Sequence, residues 1–226
     1  MQIVNEAVNL EDNWIFIAIP KTGTTSIRTQ LRQTGVPLIP NPHLNILQVR
    51  DAISLFFLKK NLATNKSFPS IGVKTYSQIK DESRNFFSGA FKFASVRNPW
   101  ERAVSLFYRK EGVRDQQNVS FDSFIENHFY ASDTCAHPTL HKNQIDWISD
   151  DNEKILLDYI FKLEDFSKAV QDIRERTNGL IKLQDTVANK NASSRSSEYR
   201  DLYSERTKKI IAQRFEKDID IFQFTF

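Results

Sequence analysis

The chain has 226 residues, 40% hydrophobic and 26% charged, which suits a globular domain and excludes a disordered or fibrous chain. Its 31 Lys and Arg against 28 Asp and Glu leave a net charge of +3, too small a surplus to mark a polyanion binder. A single cysteine excludes an internal disulfide framework and suits a reducing compartment.

The first predicted element is residues 14–19, Trp-Ile-Phe-Ile-Ala-Ile, a short apolar run closed by Pro20. It reads as a strand buried on both faces, as in a parallel sheet. It is the longest apolar run and falls far short of the ~20 residues of a membrane span. No basic segment followed by an apolar run opens the chain, so a soluble protein without a secretory signal is expected. A polar turn around Gly23 follows, then Ile27 and Leu31 at helical spacing until Gly35. Leu47, Ile53, Leu55 and Leu58 predict a helix over 44–60. Residues 61–90 are polar and punctuated by Gly and Ser, with a short strand at 71–73 as their one apolar signal.

Residues 91–96 predict a second buried strand. Asn98 suits an N-cap and Pro99 the first helical position, ahead of an apolar stripe of Trp100, Ala103, Val104 and Phe107. A third strand is predicted over 155–161 and a helix over 164–176. Ser204 caps a last helix whose Ile210, Ile211 and Phe215 share a face, and 221–224 alternates like a strand. Strands alternating with helices predict an α/β fold with a mainly parallel central sheet flanked by helices, in one domain over 1–226.

The strand–turn–helix at 14–31 is the strongest chemical signal. Such a turn presents unpaired backbone N–H groups to an anion, Lys21 adds a mobile charge, and Gly23 allows close backbone approach. The ATP-binding loop G-x-x-x-x-G-K-[ST] does not fit, because Lys21 precedes Gly23 and the position five before Lys21 is Phe16. The run ending in Asp158 has the form of a Mg²⁺-holding strand, a pattern that arises easily by chance. Arg97 closes the second strand, and Ser105 lies eight residues on, about 12 Å along a helix. A guanidinium and a hydroxyl on that line can hold a phosphate. Cys135, His137 and His141 have partial metal-ligand spacing, but Pro138 lies between the histidines and no second cysteine exists, so no metal is expected.

Ile19-Pro20-Lys21-Thr22-Gly23-Thr24-Thr25-Ser26 resembles the 5′-phosphosulfate loop of sulfotransferases that use 3′-phosphoadenosine-5′-phosphosulfate (PAPS). The segment from Phe93 through Arg97-Asn98-Pro99 to Ser105 and Tyr108 resembles their 3′-phosphate signature, closest to the carbohydrate-type branch. Gln144-x-x-Trp147, Asp158-Tyr159-Ile160-x-x-Leu163-Glu164 and Asn191-Ala192-Ser193 resemble later landmarks, so the likeness runs from residue 14 to about 219.

The resemblance implies a sulfotransferase fold related to P-loop NTPases, PAPS as donor, adenosine 3′,5′-bisphosphate as product, and no metal. It implies that Lys21 stabilises the departing phosphate, with Thr22, Gly23, Thr24, Thr25 and Ser26 around it. Arg97 and Ser105 would hold the 3′-phosphate, and Ser194 or Arg195 would reach the phosphates from a late segment. His43 is the first choice of base among His43, His128, His137 and His141, with Glu101 and Glu164 as alternatives. Gln144 and Trp147 are expected to touch the acceptor, a glycan or another hydroxylated metabolite. A bacterial, cytoplasmic enzyme without nucleic-acid partners fits this pattern. The alternative is a nucleotide kinase or NTPase with a related phosphate loop, and the oligomeric state is left open.

Overall fold

A computed structural model describes residues 2–64, 74–108, 119–129, 142–186 and 199–226. Strands β1 (Gln2–Ile3) and β4 (Val36–Pro37) form a short parallel ribbon. The main sheet has the order β2 (Val8–Asn9), β3 (Trp14–Ile17), β5 (Phe91–Val96), β6 (Tyr159–Lys162). Strands β3, β5 and β6 are parallel, and β2 runs antiparallel at the edge.

The two-residue period of the strands sorts their side chains into two cores. Ile15, Ile17, Ile19, Ala94 and Val96 enter one, whereas Trp14, Phe16, Ala18, Phe93 and Phe161 enter the other. Helices α1 (Thr24–Gln30) and α6 (Phe166–Arg176) cover the second through Ile27, Phe166, Ala169 and Ile173. The first is filled by α2 (Ile46–Thr64), α4 (Pro99–Phe107), α5 (Phe121–Phe129) and α7 (Glu205–Arg214). The expected three-layer α/β architecture with a mostly parallel sheet is the one observed. Each fully buried Phe or Ile contributes roughly 1.5–3 kcal/mol.

Capping chemistry sets the helix starts. Asn45 and Gln48 exchange side-chain to backbone bonds of 2.8 and 2.9 Å, so α2 begins at Ile46, two residues later than expected. Asn98 accepts from the Trp100 N–H at 3.1 Å with Pro99 at the first helical position, as its sequence predicts. Helix α3 (Tyr76–Gly89) lies in the polar stretch where no helix is expected; a Thr75–Gln78 capping box starts it, and it packs on α2 through Phe86 against Phe57. The strand expected at 71–73 lies outside the described residues.

Two expectations are corrected. Only the end of 155–161 joins the sheet, because Ile155 makes an isolated bridge to Ser149 before β6 begins at Tyr159. The strand expected at 221–224 does not form: its first two residues end α8 (Glu216–Phe222), and Gln223 caps that helix in the left-handed region with φ 53°. Among the described residues no helix is long and apolar enough to cross a membrane.

Candidate active site

The register sets the carboxyl ends of β3, β5 and β6 side by side: Ile17 pairs with Ala94, and Val96 with Lys162. Adjacent strands lie about 4.8 Å apart. The turn after β3, Arg97 after β5 and Leu163 after β6 therefore leave the sheet together, at the edge where open α/β sheets receive ligands.

In the first turn Lys21 and Gly23 both adopt left-handed conformations, with φ 70° and 77°. Thr22 between them is fully buried. Its hydroxyl lies 3.0 Å from the Ile19 carbonyl oxygen and 2.9 Å from Ser95 Oγ, and Ser95 Oγ donates to the Thr22 carbonyl at 2.7 Å. The loop is thus fastened to β5 through Thr22, whose hydroxyl points inward. Thr24 and Ser26 are buried and Thr25 is exposed. The helical ladder opens with Ile27 N–H to Gly23 O at 3.4 Å, so the N–H groups of Thr24, Thr25 and Ser26 precede it. Gly23 is demanded twice. Its φ disfavours a side chain, and a Cβ there would stand 2.6 Å from Leu163 Cδ1.

Arg97 donates from Nε to Glu101 at 3.3 Å, and the two side chains are only 13% and 15% exposed, so this is no loose surface pair. Such a bond through Nε leaves the fork of terminal nitrogens to address an anion. Glu164 follows β6 and accepts from the Asn98 N–H at 3.2 Å. Burial raises its pKa, and the Glu101 charge adds to the rise while Arg97 and the backbone donors oppose it. Asn98, Glu101, Lys162, Glu164, Tyr199 and Arg200 line a cavity of about 540 Å³ at this edge. A larger cavity of about 950 Å³ lies beside Trp14, where β3 begins, and is remote from these groups in the fold. Ser105 sits half-buried in α4, seven residues beyond the Asn98 cap.

His43 lies in the loop before α2, and its Nδ1 is 2.7 Å from the Ala18 carbonyl oxygen at the end of β3. A carbonyl only accepts, so Nδ1 carries the proton and Nε2 is the basic nitrogen. The bond draws His43 to the same strand end that launches the Lys21 loop.

Gln144 and Trp147, expected to touch the acceptor, are both buried. Gln144 accepts from the Arg97 N–H at 2.8 Å and donates to the Arg97 carbonyl at 2.8 Å, so its amide clasps both sides of that residue. Trp147 packs into the core shared by α2, α4 and α7. Ser194 and Arg195, like Cys135, His137 and His141, lie outside the described residues. Among the described residues no group of His, Cys, Asp or Glu could hold a metal ion.

Arg102 and Asp218 were not legible as site residues. Arg102 is 1% exposed and donates to the Pro20 carbonyl at 3.2 Å and the Lys142 carbonyl at 3.3 Å. Burial lowers its pKa to about 10, and the Asp218 charge opposes that fall. Asp218 is itself buried and accepts from Gln144 N–H at 2.7 Å and Ile145 N–H at 3.0 Å. Arg102 is legible only as part of the segment that resembles the 3′-phosphate signature, and Asp218 lies outside every motif read from the sequence.

The sequence profile of the Sulfotransferase family matches residues 7–225. No curated protein and no solved structure matches the chain. The matched span covers the Lys21 loop, Arg97 and the strands that bring them together, so the chain belongs to the sulfotransferase family and is a sulfuryl-transferring enzyme.

Proposed function

We propose that the enzyme transfers the sulfuryl group of PAPS to a hydroxyl of a glycan or another hydroxylated metabolite. The observation that carries this reading is the pairing of Ile17 with Ala94, which sets a Lys-bearing, N–H-rich turn beside Arg97 at one sheet edge. Two anion-binding groups on neighbouring strands suit a nucleotide with a phosphate at each end. The donor set fits: a lysine, main-chain N–H groups, a partly buried arginine and a serine hydroxyl.

PAPS supplies an activated sulfuryl group whose bond to the 5′-phosphate oxygen breaks on transfer. Lys21 and the N–H groups of Thr24, Thr25 and Ser26 neutralise the charge left on that oxygen. Arg97 and Ser105 hold the 3′-phosphate, with Ser194 or Arg195 assigned to the phosphates by the resemblance alone. His43 Nε2 takes the acceptor proton, and the Ala18 carbonyl fixes the ring for that purpose. Gln144 acts on the site through Arg97, with its amide holding the main chain that carries the guanidinium. Alignment is the greater part of such chemistry, since little covalent work falls to the protein. A cytoplasmic, bacterial enzyme remains part of this reading.

Two measurements test it. Calorimetry should show binding of adenosine 3′,5′-bisphosphate and none of ATP·Mg²⁺; the reverse result would replace sulfuryl transfer from PAPS with a nucleotidase reading. A screen with labelled PAPS over polysaccharides, glycolipids and phenols should then find label on a hydroxylated acceptor, and label confined to amines would overturn the acceptor class.

A further inference from the structure

One chain of buried polar contacts joins the two anion-binding segments. Its first member is the Pro20 carbonyl, one residue before Lys21, which accepts from Arg102 Nε at 3.2 Å. Arg102 stands in α4, one turn after Asn98, with its N–H bonded to the Asn98 carbonyl at 2.8 Å. Its guanidinium carbon lies 5.6 Å from the Phe215 ring centroid, and its Nη1 donates to the carbonyl of Lys142, two residues before Gln144, at 3.3 Å. Asp218 accepts from the Gln144 main-chain N–H at 2.7 Å and from Gln144 Nε2 at 3.2 Å. Gln144 closes the path by bonding both the N–H and the carbonyl of Arg97, each at 2.8 Å.

A fully buried arginine and a fully buried aspartate are a poor choice for stability alone, since apolar residues of like volume fill such space at least as well. What a charged fork offers is direction. It fixes a carbonyl on the first loop against a helix that begins beside Arg97, and the aspartate extends that hold to the Arg97 main chain. Productive geometry in transfer chemistry is set to about half an ångström, by groups that support the ones touching substrate.

We propose that Arg102 and Asp218 are positioning residues that set the spacing between the Lys21 loop and Arg97, and so match the site to a ligand bearing two separated phosphates. This rests on the reading of the site as a PAPS site. A two-ended ligand gains over a one-ended one only when both cradles stand at the right separation. The brace therefore governs the ratio of two affinities, whereas a general loss of packing weakens both ligands alike.

The test compares calorimetric dissociation constants for adenosine 3′,5′-bisphosphate and adenosine 5′-monophosphate in the full chain. In the wild type the bisphosphate should bind more tightly. Arg102→Met should erode that advantage by about tenfold while shifting the monophosphate constant less than about threefold, and Arg102→Lys should recover part of it. If Arg102→Met does not fold, Asp218→Asn, which keeps shape and removes the charge, should erode the same ratio. A ratio unchanged in the folded variants, with both ligands weakened equally, overturns the brace and leaves the PAPS reading intact. A wild type that does not distinguish the two nucleotides overturns both.

Discussion

The hydroxyls of Thr22 and Ser95 lie 2.9 Å apart in the interior, on two segments separated by 73 residues. Two hydrogens serve three contacts there: the pair itself, Thr22 Oγ1 to Ile19 O at 3.0 Å, and Ser95 Oγ to Thr22 O at 2.7 Å. The arrangement bends the first loop back onto β5 and fixes which way the chain faces as it reaches Gly23. It also explains a threonine in a phosphate-type loop whose hydroxyl points away from the solvent edge.

Removing either hydroxyl leaves a buried partner short of a hydrogen bond, a loss of about 1–3 kcal/mol. Ser95→Ala and Thr22→Val should each reduce unfolding free energy in urea by that order. The double variant should lose less than the sum, because the two share one contact. Strict additivity would mean that the 2.9 Å contact carries no coupling.

Lys21 is held at φ 70°, where a side chain other than glycine's is disfavoured by about 1 kcal/mol. Strain retained at a lysine in a ligand loop points to a duty for the side chain. Lys21→Gly should therefore raise unfolding free energy by about 1 kcal/mol, while Lys21→Ala gains nothing. Both should reduce turnover roughly 100-fold at saturating donor, by removing charge stabilisation of the leaving group. Bisphosphate binding should fall much less. A Lys21→Gly enzyme that keeps wild-type turnover would remove the lysine from the chemistry.

Glu164 gives a pH dependence with a definite sign. Burial raises its pKa in the folded protein, so the folded state binds its proton more readily than the unfolded chain does. Its favourable contribution is complete below the ordinary carboxylate range and is lost as pH rises through the raised folded value. Once ionised the group is a burden, although Asn98 N–H still bonds it at 3.2 Å. Glu164→Gln keeps an acceptor for that N–H and removes the charge. Its Tm should exceed that of the wild type at pH 7.5, and the difference should shrink as pH falls and the wild-type carboxyl protonates. A variant less stable at pH 7.5 would assign Glu164 a net favourable charge interaction with Arg97.

What the sequence made legible was what local rules control. Residues 91–96 read as a buried strand because Phe91 and Phe93 on one face and Ala94 and Val96 on the other are apolar, and Asn98-Pro99 read as a helix start because cap and proline each have one good position there. Helix α3 was hidden because its apolar positions, Ile79, Phe86 and Phe87, are sparse among polar residues and take their partners from elsewhere, as where Phe86 meets Phe57 of α2. Residues 221–224 alternate like a strand, yet the first two end helix α8, whose Asp218 turns inward to the Gln144 and Ile145 N–H groups. Long-range bonding also gives Gln144 a partner that its sequence does not announce, the Arg97 main chain. Lys21, Gly23 and Arg97 were legible because their chemistry depends on what precedes them in the chain. Ser95, Arg102 and Asp218 were not, because theirs depends on partners more than 70 residues away.

His43 offers a substitution that separates its two ring nitrogens. Nδ1 donates to the Ala18 carbonyl at 2.7 Å, and Nε2 is the nitrogen assigned to the acceptor proton. The side-chain amide of asparagine places an N–H where Nδ1 stands and nothing where Nε2 stands. His43→Asn should therefore keep the tie between the pre-α2 loop and β3, hold bisphosphate affinity near the wild-type value, and melt at nearly the same temperature. Its turnover should fall about 100- to 10,000-fold, the range that general-base catalysis supplies, and the acid limb of its pH–rate profile should disappear. His43→Gln, whose amide reaches toward the Nε2 position, should lose turnover as severely and also lose stability through the broken Ala18 contact. If His43→Asn retains turnover with the acid limb in place, the base is one of the carboxylates at the neighbouring strand ends, and Glu164 and Glu101 are the residues to substitute next.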